Sequence, residues 1–460
     1  MNCFLFVDFG STNTKITLVD SDKEEIVATA KAYTTVETDV MTGYNNALSK
    51  INEQVQDYTV IKSLACSSAA GGLKIIAIGL VPELTSEAAK RAALGAGAKV
   101  INTYSHNLTI SETQEIINSN ADIILLAGGT NGGDKNCILH NAKMLKEHGV
   151  KVPVVVAGNK SAADEICEIF GDSVEYHIVE NVMPKINKLN VENARETIRQ
   201  IFMENIVKAK GMKNIQDKID GLIMPTPAAV LKAAEILSKG TDDEEGLGDL
   251  LIVDIGGATT DVHSAADGDP SSSGVFLYGL EEPFMKRTVE GDLGMRYSIP
   301  SVVEVAGKRG LRRYLPNEKQ YDVEAEVKKR NTETSFISQT EKDLDFDSAI
   351  AKICVDISMK RHVGTLRQVY NGSNGASFQQ EGKDLTCTPY LIGTGGILVY
   401  NSRYKDILEA GLFREDEPFS LKPKKPKFLL DKKYILSAMG LLATVNPDMA
   451  IRILKKNLVE

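Results

Sequence analysis

Two short stretches of the sequence carry the same chemistry. Asp8-Phe9-Gly10-Ser11-Thr12-Asn13-Thr14-Lys15 and Asp254-Ile255-Gly256-Gly257-Ala258-Thr259-Thr260-Asp261 each end an apolar run in a carboxylate, then turn through glycine into a cluster of hydroxyls. Glycine lets backbone N–H groups approach phosphate oxygens with no Cβ in the way. The hydroxyls and Lys15 add donors and charge. A carboxylate at a strand end suits Mg²⁺ held through water, because that ion keeps several waters and takes one or two carboxylates plus phosphates. One such turn is an ordinary hairpin; two in one chain, each opening a run of short strands, point to phosphate binding. A third glycine run, Tyr390-Leu391-Ile392-Gly393-Thr394-Gly395-Gly396, again follows an apolar strand and suits a loop lying flat against a nucleoside.

The elements that must position these residues follow from periodicity. Phe4 to Asp8, Lys15 to Asp20 and Glu25 to Ala32 predict three strands in hairpin succession, followed by a helix over Asp39 to Tyr58 and a strand over Lys62 to Ser67. From residue 73 strands and helices alternate steadily to about residue 179, which predicts a doubly wound parallel sheet with helices on both faces. Leu250 to Asp254, Thr260 to Ala265 and Val275 to Leu280 then repeat the opening three strands. The expected fold is α/β: two duplicated halves, the first interrupted by an inserted doubly wound domain, with segments 1–72, 73–184, 185–248 and 249–460. Leu222 to Leu237 reads as a Pro-capped helix and Lys422 to Lys433 as a solvated linker.

Two further patterns sit outside the turns. Gly128-Gly129-Thr130-Asn131-Gly132-Gly133-Asp134 is either an anion site at a helix N-terminus or a tight connection needing glycine for steric reasons. Asp292 and Arg296, four residues apart, fit an ion pair on a helix surface.

Composition removes several classes. At 460 residues, 43% hydrophobic and 25% charged, the chain is that of a multidomain globular protein. A formal charge of −9 argues against nucleic acid as the main partner. No apolar run approaches the ~20 residues of a membrane helix, and Asp8 interrupts any signal-like start, so a cytoplasmic location and no membrane partner are expected. Cys3, Cys66, Cys137, Cys167, Cys354 and Cys387 form no CxxC pair, and the histidines form no HExxH frame.

The paired turns, the third glycine loop and two hinge-like helices at Pro225 to Ala234 and Ser437 to Thr444 resemble the actin-like ATPase superfamily, which includes hexokinase-type sugar kinases and heat-shock chaperone ATPases. The resemblance implies ATP or ADP with Mg²⁺ as cofactor. It places Gly10, Ser11, Thr12, Asn13, Thr14, Gly256, Gly257, Ala258, Thr259, Asp261, Gly393, Thr394, Gly395, Gly396 and Gly440 around the nucleotide. Asp8 and Asp254 become the catalytic carboxylates that organise the metal through water, with Lys15 on phosphate. Where chaperones and actin place Glu or Gln on the first hinge to position water, this chain reads Met224-Pro225-Thr226-Pro227. Thr226 is left with that role, which implies slow hydrolysis.

The insert carries a closer resemblance. Leu125 to Asn136, Val154 to Asn159 and Val289 to Arg296 are similar to the glutamate mutase accessory family called MutL or GlmL, unrelated to the mismatch-repair protein of similar name. Its members resemble reactivating factors, ATPases that keep adenosylcobalamin-dependent mutases working. The resemblance therefore implies an accessory factor whose halves close over nucleotide and whose partner is such a mutase, glutamate mutase first. The competing reading is a small-molecule kinase of the same superfamily, for which the sequence offers no Glu-x-Gly-His pattern.

Overall fold

Alternation decides the first sheet. Along β1 (Asn2–Phe9), Cys3, Leu5, Val7 and Phe9 enter one apolar cluster, joined by Ile16 and Leu18 of β2 (Asn13–Asp20) and by Met41, Tyr44 and Ile51 of helix α1 (Val40–Gln54). This leaves Asp8 on the other face of β1. The computed structural model describes all residues except 11–12, 35–39, 69–72, 209–218, 316 and 371–375. They form two compact units. The first is Met1–Ala233 with Gly279–Glu281 and Leu436–Ile453; the second is Ala234–Tyr278 with Glu282–Ile435 and Leu454–Glu460.

With strands numbered in chain order, the first unit's leading sheet has the order β10 (Gly221–Pro225), β4 (Thr59–Ser67), β1, β2, β3 (Glu25–Tyr33). β1, β2 and β3 pair antiparallel, whereas β1, β4 and β10 pair parallel. The second unit repeats this plan as β14 (Met285–Glu290), β12 (Thr260–Ala265), β11 (Leu250–Ile255), β17 (Tyr390–Thr394), β18 (Lys427–Leu430). Here too the first three strands in sequence pair antiparallel and the last two add in parallel. Both halves therefore share one α/β plan, duplicated within the chain. Leu251 and Val253 of β11 pack with Phe346, Ile350 and Ile353 of the helix Glu341–His362.

Three expectations about elements need correction. The third strand of the second half is β14, while Val275–Tyr278 forms β13 in a separate three-stranded sheet with β16 (Ala376–Glu381) and β15 (Thr365–Tyr370). Residues 222–225 belong to strand β10, and the helix begins only at Thr226, running to Lys239. The 422–433 stretch is no solvated linker: it contains β18, and Lys422 is fully buried with its ammonium on Asp356 at 2.5 Å.

Between β4 and β10 the chain builds a parallel sheet of order β6 (Lys99–Ser105), β5 (Lys74–Gly79), β7 (Ile123–Leu126), β8 (Val154–Val156), β9 (Tyr176–Ile178). Alternate residues of its strands feed two different cores. Ile75, Ala77, Ile123, Leu125 and Val155 pack with α2 (Glu87–Gly95) and with Ala194, Ile198 and Phe202 of the helix Glu192–Lys208. Ile76, Ile78, Ile124, Leu126, Val154 and Val156 pack with α3 (Ile110–Asn118), α4 (Asn136–Glu147) and α5 (Ala163–Phe170). A sheet buried on both faces reads as continuous apolar runs, as its three central strands β5, β7 and β8 do. The packing carries this layer past residue 184, as far as Phe202. Among the described residues no helix is long and apolar enough to cross a membrane.

Candidate functional site

In the first unit the carboxyl ends of β1, β4 and β10 lie side by side, which sets Asp8 next to Cys66 and brings Thr226 to the strand ends. Thr226 donates its hydroxyl to Oδ1 of Asp8 at 2.6 Å, and the Cys66 thiol lies 3.6 Å from the same oxygen. Burial, together with the Asp8 charge, pushes the Cys66 thiol well above its ordinary range, so it remains a protonated donor. Oδ2 of Asp8 accepts from Ser437 at 3.4 Å and faces the Lys15 ammonium at 3.7 Å. Lys15 is the direct cross-strand partner of Asp8. The Gly10 N–H closes the turn onto the Asn13 carbonyl at 3.1 Å, and a Cβ at Gly10 would sit 2.6 Å from that oxygen, so only glycine fits.

The second unit repeats the turn. The Gly256 N–H closes onto the Thr259 carbonyl at 2.8 Å, again two residues after the strand-ending Asp254. Asp254 is opposite Asp261, as Asp8 is opposite Lys15. The missing cation arrives from β14: Arg287 places Nε and Nη2 on Oδ1 of Asp261 at 2.8 and 2.6 Å, while Thr259 donates to Oδ2 at 3.2 Å. The turn is braced from behind by residues 293–298. Met295 N–H reaches the Gly256 carbonyl, Arg296 and Tyr297 reach that of Gly257, and the Ser298 hydroxyl reaches that of Ala258 at 2.6 Å. Gly395, at φ +102°, lies against Ile255, whose carbonyl a Cβ would approach to 2.4 Å. β17 runs parallel to β11 with Thr394 level with Asp254, so Gly393, Thr394, Gly395 and Gly396 gather beside the Asp254 turn. Thr394 in turn donates to Asp431 at 3.2 Å.

Not every sequence candidate joins these clusters. Ser11 and Thr12 lie outside the described residues. Thr14 is fully buried, its hydroxyl shared with Thr34 at 3.0 Å, on the face of β2 opposite Lys15. Gly440 is a helix contact: in Leu436–Leu442 it meets the Ala229 carbonyl, 1.8 Å from where a Cβ would stand. Asp292 and Arg296 do not sit on a helix; Asp292 is held bidentate by Arg361, and Arg296 reaches Asp347. The contacts of Cys66, Ser437 and Arg287 are not legible in the sequence, because each reaches its carboxylate only through strand register or packing.

The Gly128–Asp134 loop resolves toward the steric reading. Three of its N–H donors are engaged within the fold: Asn131 on the Pro184 carbonyl, Gly132 on Asn159 and Gly133 on Thr130. A Cβ at Gly129 would fall 2.0 Å from the Asp134 carbonyl.

Over its full length the chain is 58% identical to "Protein MutL" of Clostridium tetanomorphum, covering all of that protein. Among solved structures, nucleotide-free acetone carboxylase is similar at TM-score 0.39 and 12% identity, covering 96% of this chain and 70% of that one. Xylulose kinase of Lactobacillus acidophilus gives TM-score 0.36 and 12% identity, covering 100% and 92%. The MutL protein family model matches residues 4–458, and with the whole-length relative this makes the chain a member of the MutL family, of the type distinct from mismatch repair.

Proposed function

We propose that this chain is a Mg-ATP-binding, slowly hydrolysing accessory factor that reactivates an adenosylcobalamin-dependent mutase, with glutamate mutase the first partner to test. The nucleotide part rests on one observation. The same glycine-closed turn follows Asp8 and Asp254, and in each half a cation is built beside the turn, Lys15 in one and Arg287 in the other. Such turns suit phosphate oxygens. The partner class is what the resemblance of residues 125–136, 154–159 and 289–296 to the glutamate mutase accessory family implies.

Magnesium fits these residues through water. Both oxygens of Asp8 already accept hydrogen bonds from protein donors, and Mg²⁺ readily keeps its own waters between itself and a carboxylate. When bound, the ion would supply charge neutralisation at the phosphates. The hinge residue Thr226 directs its proton to Asp8 and has neither a carboxylate nor an amide with which to orient water, which supports slow turnover.

Calorimetry with Mg-ATP and Mg-ADP tests the first part, and ATP turnover with and without a co-purified mutase tests the second. Absence of heat and of any ligand-induced thermal shift overturns nucleotide binding. Phosphate transfer to a small acceptor, with no nucleotide-dependent association with a mutase, would replace the accessory reading by the kinase one.

A further inference from the structure

A pocket of about 370 Å³ opens at the carboxyl ends of β8 and β9. Parallel α/β sheets bind ligands outside this edge, and the volume is that of a small-molecule site. Its apolar lining comes from Val156, Ala163, Ile178 and Val179. Asparagines, two of them buried, tie its walls together. Asn159 accepts from the Gly132 and Ser161 N–H groups and donates to the Gly133 and Asp134 carbonyls, all at 3.0–3.1 Å. Asn181 joins the Gly129 carbonyl to Oδ1 of Asn131, both at 3.0 Å. Asn190 holds one oxygen of Glu180 at 2.9 Å. Successive strand-to-helix loops are thus fixed to one another before any ligand arrives, which lowers the ordering cost of binding.

Two opposite charges line this pocket, Lys160 and Glu180, and both are exposed. Among the described residues no ion pair joins them to each other or to a third group. Opposite charges that share a pocket without meeting leave a gap, and a molecule carrying both complementary charges fills it.

We propose that this pocket binds a free α-amino acid, its carboxylate on Lys160, its ammonium on Glu180 and its side chain over the apolar surface. The site is independent of the nucleotide reading and can stand or fall without it.

Calorimetry on the full chain, with each proteinogenic amino acid singly at about 5 mM, reaches a millimolar site. At least one should bind saturably. Lys160→Met and Glu180→Gln should each weaken that amino acid about tenfold or more, the size of a lost charge-assisted contact. Glu180→Gln should leave binding of the matching deaminated acid unchanged. Both positions are exposed, so unchanged thermal unfolding midpoints certify the fold of the variants. No binding by any amino acid overturns the proposal, as does binding that only one substitution, or neither, weakens. Calorimetric titration with Mg-ATP on the same samples reports separately on the nucleotide site.

Discussion

The Thr226 hydroxyl and Oδ1 of Asp8 stand 2.6 Å apart across 218 residues of sequence. This bond ties the end of β1 to the first turn of the helix Thr226–Lys239 and leaves a largely buried carboxylate oriented by a donor of fixed position. Removing the donor while keeping the shape separates orientation from charge. Thr226→Val should lower stability in urea unfolding by about 1–3 kcal/mol, the cost of one lost bond to a buried charged acceptor. ATP turnover should fall with it, whereas Asp8→Ala should abolish turnover. Wild-type turnover in Asp8→Ala removes that residue from the mechanism.

Arg287 makes a comparable test in the second unit. Its guanidinium is 4% exposed and the Asp261 side chain 13%, so Arg287→Gln strands a nearly buried carboxylate. A loss of about 3–5 kcal/mol is expected. The double variant Arg287→Gln, Asp261→Asn should lose less than the sum of the two single variants, because the residues act as a pair. Additive losses would refute that pairing.

Gly440 discriminates packing from ligand contact. Gly440→Ala forces a Cβ against the Ala229 carbonyl and should cost about 1–3 kcal/mol of stability through overpacking. Nucleotide affinity in the folded fraction should remain near wild type. A variant of wild-type stability that loses ATP affinity would restore Gly440 to the nucleotide site.

Acid should weaken the second unit through two buried imidazoles. Burial, with Arg287 nearby, pushes His263 down to about 3, and burial beside Lys286 and Lys383 lowers His362 well below its ordinary value. Both are neutral in the fold, while the unfolded chain takes up a proton near 6.5. The unfolded state therefore binds more protons below that pH. The contribution is fully present above about 6.5 and is lost as pH falls toward 3, by roughly 1.4 kcal/mol per pH unit for each histidine. Urea unfolding between pH 7.5 and 4.5 should show a shallower fall in His263→Leu than in wild type. Parallel curves would rule His263 out as a source of acid lability.

The sequence makes some of this arrangement readable and hides the rest for physical reasons. Asp8, Gly10, Asp254 and Gly256 announce their turns because strand, carboxylate and glycine are adjacent in the chain. The two-faced sheet announces itself because both of its faces are apolar. β14 does not: Met285-Lys286-Arg287-Thr288-Val289-Glu290 reads as surface because it is spent on charge partners, Arg287 on Asp261 and Lys286 on Glu282. Val275–Tyr278 has the better strand composition, yet Phe276, Leu277 and Tyr278 are each more than half exposed. Apolar patterning identifies a strand by its burial, and here the strand in the sheet is charged and half-buried while the apolar one is largely exposed.

The position of β10 has a consequence for synthesis. Sheet order makes Gly221–Pro225 the neighbour of Thr59–Ser67, yet the whole parallel sheet from Lys74 to Ile178 must leave the ribosome in between. At ~5–20 residues per second, the outer edge of β4 waits roughly 8–30 s for its partner. An open edge of that kind recruits other nascent strands. Closure of the intervening sheet, in which every neighbouring pair except β5 and β7 is consecutive in the chain, shortens the loop that β10 must close. Pairing of the β4 edge therefore depends on the insert, and slowing the insert's folding should leave β4 open to aggregation for longer.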